Sequence, residues 1–156
     1  MGPWDLEDGK TGARIEIKQS AAWNPFSKRP GGGKFNIEPH SGYFAKDGAW
    51  IRTPLQRHAD LYVFAWHSEE DPDIADHRRP DQWTFFVVAE QCLPQETPLA
   101  KAIGVNALTQ LTTDSCDDEG LAEACDFDAL ATTVVRAVQV LESRGNLRAQ
   151  QLATGV

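Results

Sequence analysis

The sequence predicts an α/β protein in which a mixed β-sheet is flanked by helices. Residues 61–66 and 83–89 are almost continuously apolar and rich in aromatic and β-branched side chains, which is typical of strands buried on both faces. Toward the C-terminus, apolar residues recur at helical spacing from Leu130 to Leu141, and such a helix packs its apolar side on a sheet. These three segments together define the predicted fold class.

The N-terminal residues 3–20 predict a β-hairpin, because two short strands flank a turn that contains Asp8-Gly9 and Gly12. A turn centred between Lys10 and Thr11 places Glu7 opposite Arg14 and Asp5 opposite Glu16. Side chains alternate along a strand. The second strand therefore has Arg14, Glu16 and Lys18 on one face, with Ile15 and Ile17 on the other.

The opposed carboxylates of Asp5 and Glu16 predict a cation site. Directly opposed like charges destabilise a sheet, whereas Mg²⁺ is typically bound by one or two carboxylates and keeps several waters. Lys18 then points at a water or a phosphate beside the metal. A purely structural alternative is a surface hairpin with ion pairs between Glu7 and Arg14 and between Asp5 and Lys18.

Between the hairpin and the central strands, the pattern predicts a loop, a short strand and a second hairpin. The glycine-rich, basic loop covers residues 28–34, and the short strand covers residues 35–37. The second hairpin spans residues 42–54 and turns at residues 46–48. The basic side chains of the loop, if they bind anything, are suited to a phosphate backbone, although a solvated surface loop is the favoured interpretation.

Downstream of the central strands we expect a short helix at residues 103–111 and an acidic loop at residues 112–120. The last helix is predicted to begin with Asp128 as its N-cap and to end with Gly145 at the C′ position. The domain therefore spans residues 1–145, and residues 146–156 are predicted to be a flexible tail.

Composition is that of a soluble globular protein with one domain, since 156 residues contain 41% hydrophobic and 24% charged residues. No apolar run reaches the length of a membrane span, and no secretory leader is visible, so a cytoplasmic location is expected. Cys92, Cys116 and Cys125 have no metal-binding spacing and are predicted to be free or buried thiols in a reducing compartment.

The net charge of −8 is unevenly distributed along the chain. Residues 1–58 carry nine Lys and Arg against six Asp and Glu, whereas residues 59–156 carry six against seventeen. The overall charge argues against a protein that coats nucleic acid. The basic half nevertheless contains the candidate site, which is compatible with local binding of DNA.

The arrangement of Asp5 followed by Glu16-Ile17-Lys18 resembles the catalytic signature of the PD-(D/E)xK, or restriction-endonuclease-like, nuclease superfamily. The segments at residues 57–67 and 81–88 look like an uncharacterised bacterial subfamily of these proteins, and the resemblance extends from about residue 4 to about residue 143. It implies a restriction-endonuclease-like core and a metal-dependent nuclease that hydrolyses phosphodiester bonds, with DNA as the expected substrate.

The resemblance also implies roles for individual residues. Asp5 and Glu16 would bind Mg²⁺ or Mn²⁺ together with the backbone carbonyl of Ile17, and Lys18 would orient or deprotonate the attacking water or neutralise the phosphate. Gln19 and Glu7 are expected to support the site. Candidate phosphate contacts are Lys28, Arg29 and Lys34.

The sequence departs from the superfamily pattern at its beginning, since a helix normally precedes the Asp-bearing strand and only four residues precede Asp5 here. That helix is expected to be missing, and a homodimer or a partner chain is expected to cover the exposed side of the sheet. The alternative function is a catalytically silent DNA-binding or subunit-interaction module of the same fold. An unrelated small-molecule-binding domain is the third interpretation, favoured if Asp5 and Glu16 lie far apart.

Other side chains in the β-rich part of the sequence are assigned structural roles. His58 lies at the start of the central strand and could approach the site, but a lone histidine beside a strand is more often structural. Trp23, Trp50 and Trp66 could stack on bases, but aromatic residues in such segments are mostly core, and we predict a core position for each.

Overall fold

The computed structural model describes residues 4–26, 31–114 and 120–153. The strands in this part of the chain are β1 (Leu6–Glu7), β2 (Arg14–Ala21), β3 (Lys34–Asn36), β4 (His40–Phe44), β5 (Trp50–Gln56), β6 (Leu61–His67), β7 (Trp83–Ala89), β8 (Ala102–Gly104) and β9 (Ala122–Cys125). The α-helices are α1 (Val105–Thr113), α2 (Phe127–Ser143) and α3 (Arg148–Ala153). Among these helices, none has the length and apolar character needed to cross a membrane.

The main sheet contains five strands in the order β1-β2-β6-β7-β9. Strands β2 and β6 are parallel, and every other neighbouring pair in this sheet is antiparallel. Strands β3 and β8 form a small sheet, as do β4 and β5. Because helices accompany a mixed sheet, the predicted α/β class is confirmed.

The two faces of the main sheet are covered differently. Residues aligned on neighbouring strands project to the same side, so Glu16 and Lys18 of β2 share a face with Tyr62 and Phe64 of β6. On that face Phe35 of β3 contacts Phe64, with ring centroids 5.1 Å apart. The small sheets therefore lie on the same side as Glu16 and Lys18.

Helix α2 covers the opposite face. Phe85 of β7 contacts Phe127 of α2, with ring centroids 6.2 Å apart, and Ala137, Val138 and Leu141 of α2 are buried in the hydrophobic core. Strand β6 is buried along almost its whole length, and β7 is buried from Phe86 to Ala89. The strongest strand predictions thus correspond to the centre of the core.

Both predicted hairpins are present. Glu7 pairs with Arg14 as predicted, and Gly12 in the turn has a φ of 72°, which glycine adopts without steric cost. The second hairpin, β4–β5, turns through Gly48, whose φ is 85°. Both glycines therefore have the positive φ that a tight turn needs, at positions where the sequence pattern predicted the turns.

The start of α2 differs from the prediction. The N-cap is Asp126, whose carboxylate accepts a hydrogen bond from the Ala129 N–H at 2.9 Å, so Asp128 lies inside the first turn. The C-terminal end follows the prediction, because the Gly145 N–H donates to Glu142 O and the Asn146 N–H donates to Leu141 O. This pair of bonds is a Schellman motif with glycine at C′.

The two aspartates of α2 should be separable by stability measurements. We expect Asp126→Ala to lower the free energy of unfolding by about 1 kcal/mol, because the Ala129 N–H loses its acceptor. Asp128→Ala should cost less, since it removes only a salt-sensitive interaction with the helix dipole. Urea unfolding of both variants at low and high salt checks this; a larger loss in Asp128→Ala would contradict the observed cap.

Within the predicted flexible tail at 146–156, the described residues 146–153 contain ordered structure, and residues 154–156 lie outside the described part of the chain. Leu147 is fully buried, and helix α3 follows it. The Arg148 N–H donates to Asp60 Oδ1 at 2.9 Å, while the other oxygen of Asp60 accepts from the Arg14 N–H at 2.8 Å. Asp60 therefore connects β2 to the start of α3, and burial raises the pKa of this carboxyl.

Cysteine usage also departs from the expectation of reduced thiols. Cys92 is disulfide-bonded and buried, whereas Cys125 is a free thiol whose pKa is raised by burial. Cys116 lies outside the described residues. The odd number of cysteines and their irregular spacing gave no signal for a bridge.

Candidate functional site

Asp5, Glu16 and Lys18 line one cleft of about 340 Å³. One wall is formed by residues 36–38, which are the last residue of β3 and the two that follow it, and another wall is formed by the β4–β5 hairpin. Side chains of β6 and of the segment before it form the base. These further lining residues include Tyr43, Phe44, Trp50, Arg57, His58 and Tyr62.

Strand alternation places Glu16 and Lys18 on the cleft side of β2. Their side chains are 15% and 30% exposed, and the Lys18 ammonium forms an ion pair with Glu16. Lys18 therefore pairs within its own strand, rather than with Asp5 as the purely structural alternative supposed. A partly buried carboxylate and ammonium thus face the same cleft.

Asp5 is fixed against the edge of β2 on both sides of Glu16. Its N–H donates to Ile15 O at 2.9 Å, and its carboxylate Oδ2 accepts from the Ile17 N–H at 2.7 Å. The side chain thus occupies the edge of β2 just beyond the two residues of β1. These two hydrogen bonds tie Asp5 to the main chain of both residues that flank Glu16.

The backbone of Ile17 faces the same edge. A strand residue in such a ladder directs its N–H and its carbonyl toward the same neighbour. Because the Ile17 N–H is bonded to Asp5, we infer that its carbonyl also points to the Asp5 side. A backbone carbonyl oxygen is therefore available on the edge of β2 where Asp5 lies.

The donor set suits a hard divalent cation with few protein ligands. Within residues 4–26, 31–114 and 120–153, no group of three or more His, Cys, Asp and Glu side chains is placed to hold a metal. The two carboxylate side chains fall below that number, but together with a backbone carbonyl they match the way Mg²⁺ is bound, with several waters retained. The residues present therefore fit Mg²⁺ better than zinc, which needs nitrogen or sulfur donors.

The predicted supporting residues do not line the cleft. Gln19 is exposed and borders a groove with His77 and Trp83 on another part of the surface. Glu7 is exposed, accepts a hydrogen bond from the Trp4 indole at 3.2 Å and lies 3.9 Å from Lys46. The alternation of β2 already directs Gln19 away from Lys18, so its separation from the cleft follows from strand geometry.

Of the three predicted phosphate contacts, Lys34 lies within the described residues. Lys28 and Arg29 lie outside the described residues, and Lys34 is exposed on β3. Arg14 shares the face of Glu16, but its guanidinium lies 4.0 Å from the centre of the Trp4 ring. This cation–π contact holds the chain just before β1 against β2, and thus supports the position of Asp5.

Tyr62 was not among the predicted site residues, although the pairing of β2 with β6 places it beside Glu16. It is aligned with Glu16 across the parallel β2–β6 pair and lines the cleft. Burial, and then the nearby Glu16 carboxylate, raise the pKa of Tyr62 above its ordinary value. The phenol therefore stays protonated and presents a hydroxyl donor beside Glu16.

His58 lines the cleft but is engaged by protein groups. Its Nε2 lies 3.1 Å from His40 O and 3.5 Å from Thr53 Oγ1, and its ring contacts Tyr43 edge-on. Burial lowers the pKa of His58, so the neutral imidazole is favoured. These contacts support the structural role that the sequence suggested.

Arg57 forms the buried support of the cleft. Its guanidinium donates to Ile37 O at 3.0 Å, to Pro94 O at 3.1 Å and to Ala100 O at 3.0 Å. It also pairs with Glu90 Oε1 at 3.3 Å, and its side chain is fully buried. The sequence gave no signal for this role, because the four acceptors come from distant segments.

The prediction that all three tryptophans belong to the core is wrong for Trp50. Trp66 packs against the core and Trp23 is half-buried, but Trp50 is 53% exposed and Phe44 is 55% exposed. Both aromatic side chains lie at the cleft. The β4–β5 hairpin therefore adds an exposed aromatic rim to the site.

Comparison with protein families, with curated proteins and with solved structures gave no match.

Proposed function

We propose that this protein is a metal-dependent nuclease with a restriction-endonuclease-like core, and that it hydrolyses phosphodiester bonds in DNA. The observation that carries the proposal is the position of Asp5, Glu16 and Lys18 in one cleft, with Asp5 hydrogen-bonded to the residue between Glu16 and Lys18. The order of the strands supports the proposal too, because the signature strand β2 lies beside the buried β6 in a mixed sheet.

The proposed roles are those implied by the family resemblance, and the position of each residue in the cleft supports them. Asp5, Glu16 and the Ile17 carbonyl would hold Mg²⁺ or Mn²⁺. Such an ion, when bound, polarises the phosphoryl oxygen and lowers the pKa of a bound water. Lys18 would orient the attacking water, accept its proton or neutralise the phosphate, and the Tyr62 hydroxyl would donate a hydrogen bond within the cleft.

A catalytically silent module that binds DNA or another subunit is the second candidate. The observation that favours it is the ion pair between Lys18 and Glu16, because this pair neutralises one carboxylate of the cleft without a cation. The two candidates differ in their response to divalent ions. A nuclease requires the ion for cleavage, whereas a silent module binds its partner without one.

The deciding experiment measures cleavage of plasmid, single-stranded and branched DNA with Mg²⁺, with Mn²⁺ and with a chelator. We expect divalent-dependent cleavage by the wild type and a loss of at least about 100-fold in Asp5→Asn and Glu16→Gln, since even residues behind the ligands of metal sites commonly contribute 10- to 100-fold. Glu96→Gln, at an exposed position outside the cleft, is the matched control and should cleave normally.

Calorimetry with Mn²⁺ separates the two candidates. Binding that Glu16→Gln weakens supports the nuclease site. Absence of both ion binding and cleavage in the folded wild type would exclude the nuclease and leave the silent module.

A further inference from the structure

The aromatic rim of the cleft is formed by Trp50 and Phe44, which are directly opposite each other on β5 and β4. Their rings meet edge-on, with centroids 4.9 Å apart and an interplanar angle of 66°. About half of each side chain is exposed, although both line the cleft that contains Asp5, Glu16 and Lys18. Two large apolar side chains are thus open to solvent beside the proposed reacting phosphate.

The indole of Trp50 is fixed in place by Gly42. A Cβ added to Gly42 would lie 2.5 Å from Trp50 Cζ2 and 2.8 Å from Cε2, so the ring lies directly over the glycine backbone. One side of the indole is therefore supported by β4, and Phe44 restrains its edge. A rigid aromatic surface loses little conformational entropy when a ligand stacks on it.

From these contacts we propose that Trp50 and Phe44 stack on an unpaired base of a DNA strand whose neighbouring phosphate lies at Asp5, Glu16 and Lys18. The inference rests on the proposed function and specifies its substrate as DNA with a single-stranded segment. Bases stack on aromatic side chains in single-stranded complexes, whereas the faces of bases within a duplex are covered by their neighbours.

Charge on the same hairpin suits a nucleic-acid strand. Arg52 is opposite Gly42 and two residues from Trp50, so it shares the face of the indole. Lys46, in the turn, has a side chain that is 92% exposed. Cationic side chains beside aromatic ones are the combination that binds single strands, since the cations contact phosphates and the rings contact bases.

The test measures equilibrium binding in a chelator, where a divalent-dependent nuclease does not cut. Fluorescent oligonucleotides are supplied as a single strand, as a blunt duplex and as a duplex with a single-stranded extension. We expect the single strand and the extended duplex to bind at least tenfold more tightly than the blunt duplex. Trp50→Ala should weaken single-strand binding by about 5- to 150-fold, the range that one stacked base contributes.

A conservative variant at position 50 and a variant at a distant aromatic residue show whether the loss of binding is specific to the Trp50 ring. Trp50→Phe should retain most of the affinity, and Phe26→Ala, which removes a 96% exposed aromatic side chain elsewhere, should leave it unchanged. A 2-aminopurine base in the oligonucleotide reports stacking directly, because its fluorescence is quenched on an aromatic ring. That quenching should occur with the wild type and disappear with Trp50→Ala.

Equal affinity for blunt duplex and single strand, or unchanged binding and quenching in folded Trp50→Ala, would overturn the inference. Divalent-dependent cleavage that needs Glu16 but not Trp50 would leave the nuclease proposal standing and remove this one. Trp50-dependent binding of single strands without cleavage in Mg²⁺ or Mn²⁺ would support stacking on Trp50 and contradict the nuclease proposal.

Discussion

Replacing Lys18 by alanine should lower divalent-dependent DNA cleavage by about 10²- to 10⁴-fold, the range for a positioned group that transfers a proton. The side chain lies in the cleft beside Glu16 and is 30% exposed. Because partly exposed ion pairs contribute about 0–1 kcal/mol to stability, the variant should fold normally. Steady-state and single-turnover rates with Mg²⁺, together with thermal unfolding, check both expectations.

An arginine at position 18 distinguishes the chemical roles of the lysine. Arginine keeps the positive charge but stays protonated in proteins. Lys18→Arg should therefore restore most of the rate if the lysine neutralises phosphate charge, and little of it if the lysine accepts a proton. Lys10→Ala, in the exposed turn of the first hairpin, is the control. An unchanged rate in Lys18→Ala would remove Lys18 from the proposed mechanism.

The parts of the fold that sequence reasoning identified are those with a strong local signal. Strand β7 matches its predicted range, and β6 contains the whole apolar run at residues 61–66, because long runs of apolar β-branched and aromatic residues have few alternatives to a buried strand. Strands β8 and β9 were missed. Their sequences, AIG and AEAC, are rich in alanine and glycine, and they become strands only through pairing with β3 and β7.

The candidate site shows the same division. The cross-strand pairing of Glu7 with Arg14 and the face of Glu16 and Lys18 follow from a turn and a two-residue period, which are local properties. The exposure of Trp50 does not follow from local properties, because it depends on where the β4–β5 hairpin lies relative to the main sheet. Composition indicates an aromatic residue's usual environment, and only tertiary structure shows which side chain is an exception.

The largest effect on stability should come from Arg57. Arg57→Ala leaves three backbone carbonyls and the Glu90 carboxylate without their shared donor, and it opens a cavity where the guanidinium was fully buried. Removing one partner of a buried charged network costs about 3–5 kcal/mol. For a domain of this size we expect the melting temperature to fall by roughly 6–20 °C.

Lysine should not rescue this position, because a single ammonium cannot reproduce the planar donors that reach Ile37, Pro94 and Ala100. Arg136→Ala is the matched control, since it breaks a half-exposed ion pair with Glu123 and should cost about 1 kcal/mol or less. Thermal and urea unfolding of Arg57→Ala, Arg57→Lys and Arg136→Ala measure these losses of stability. An Arg57→Ala protein as stable as Arg136→Ala would show that the buried guanidinium is dispensable. The large loss of stability is expected because the Arg57 guanidinium bridges Ile37, which lines the cleft, and the segments that follow β7. Its loss should therefore weaken cleavage by the surviving folded protein as well.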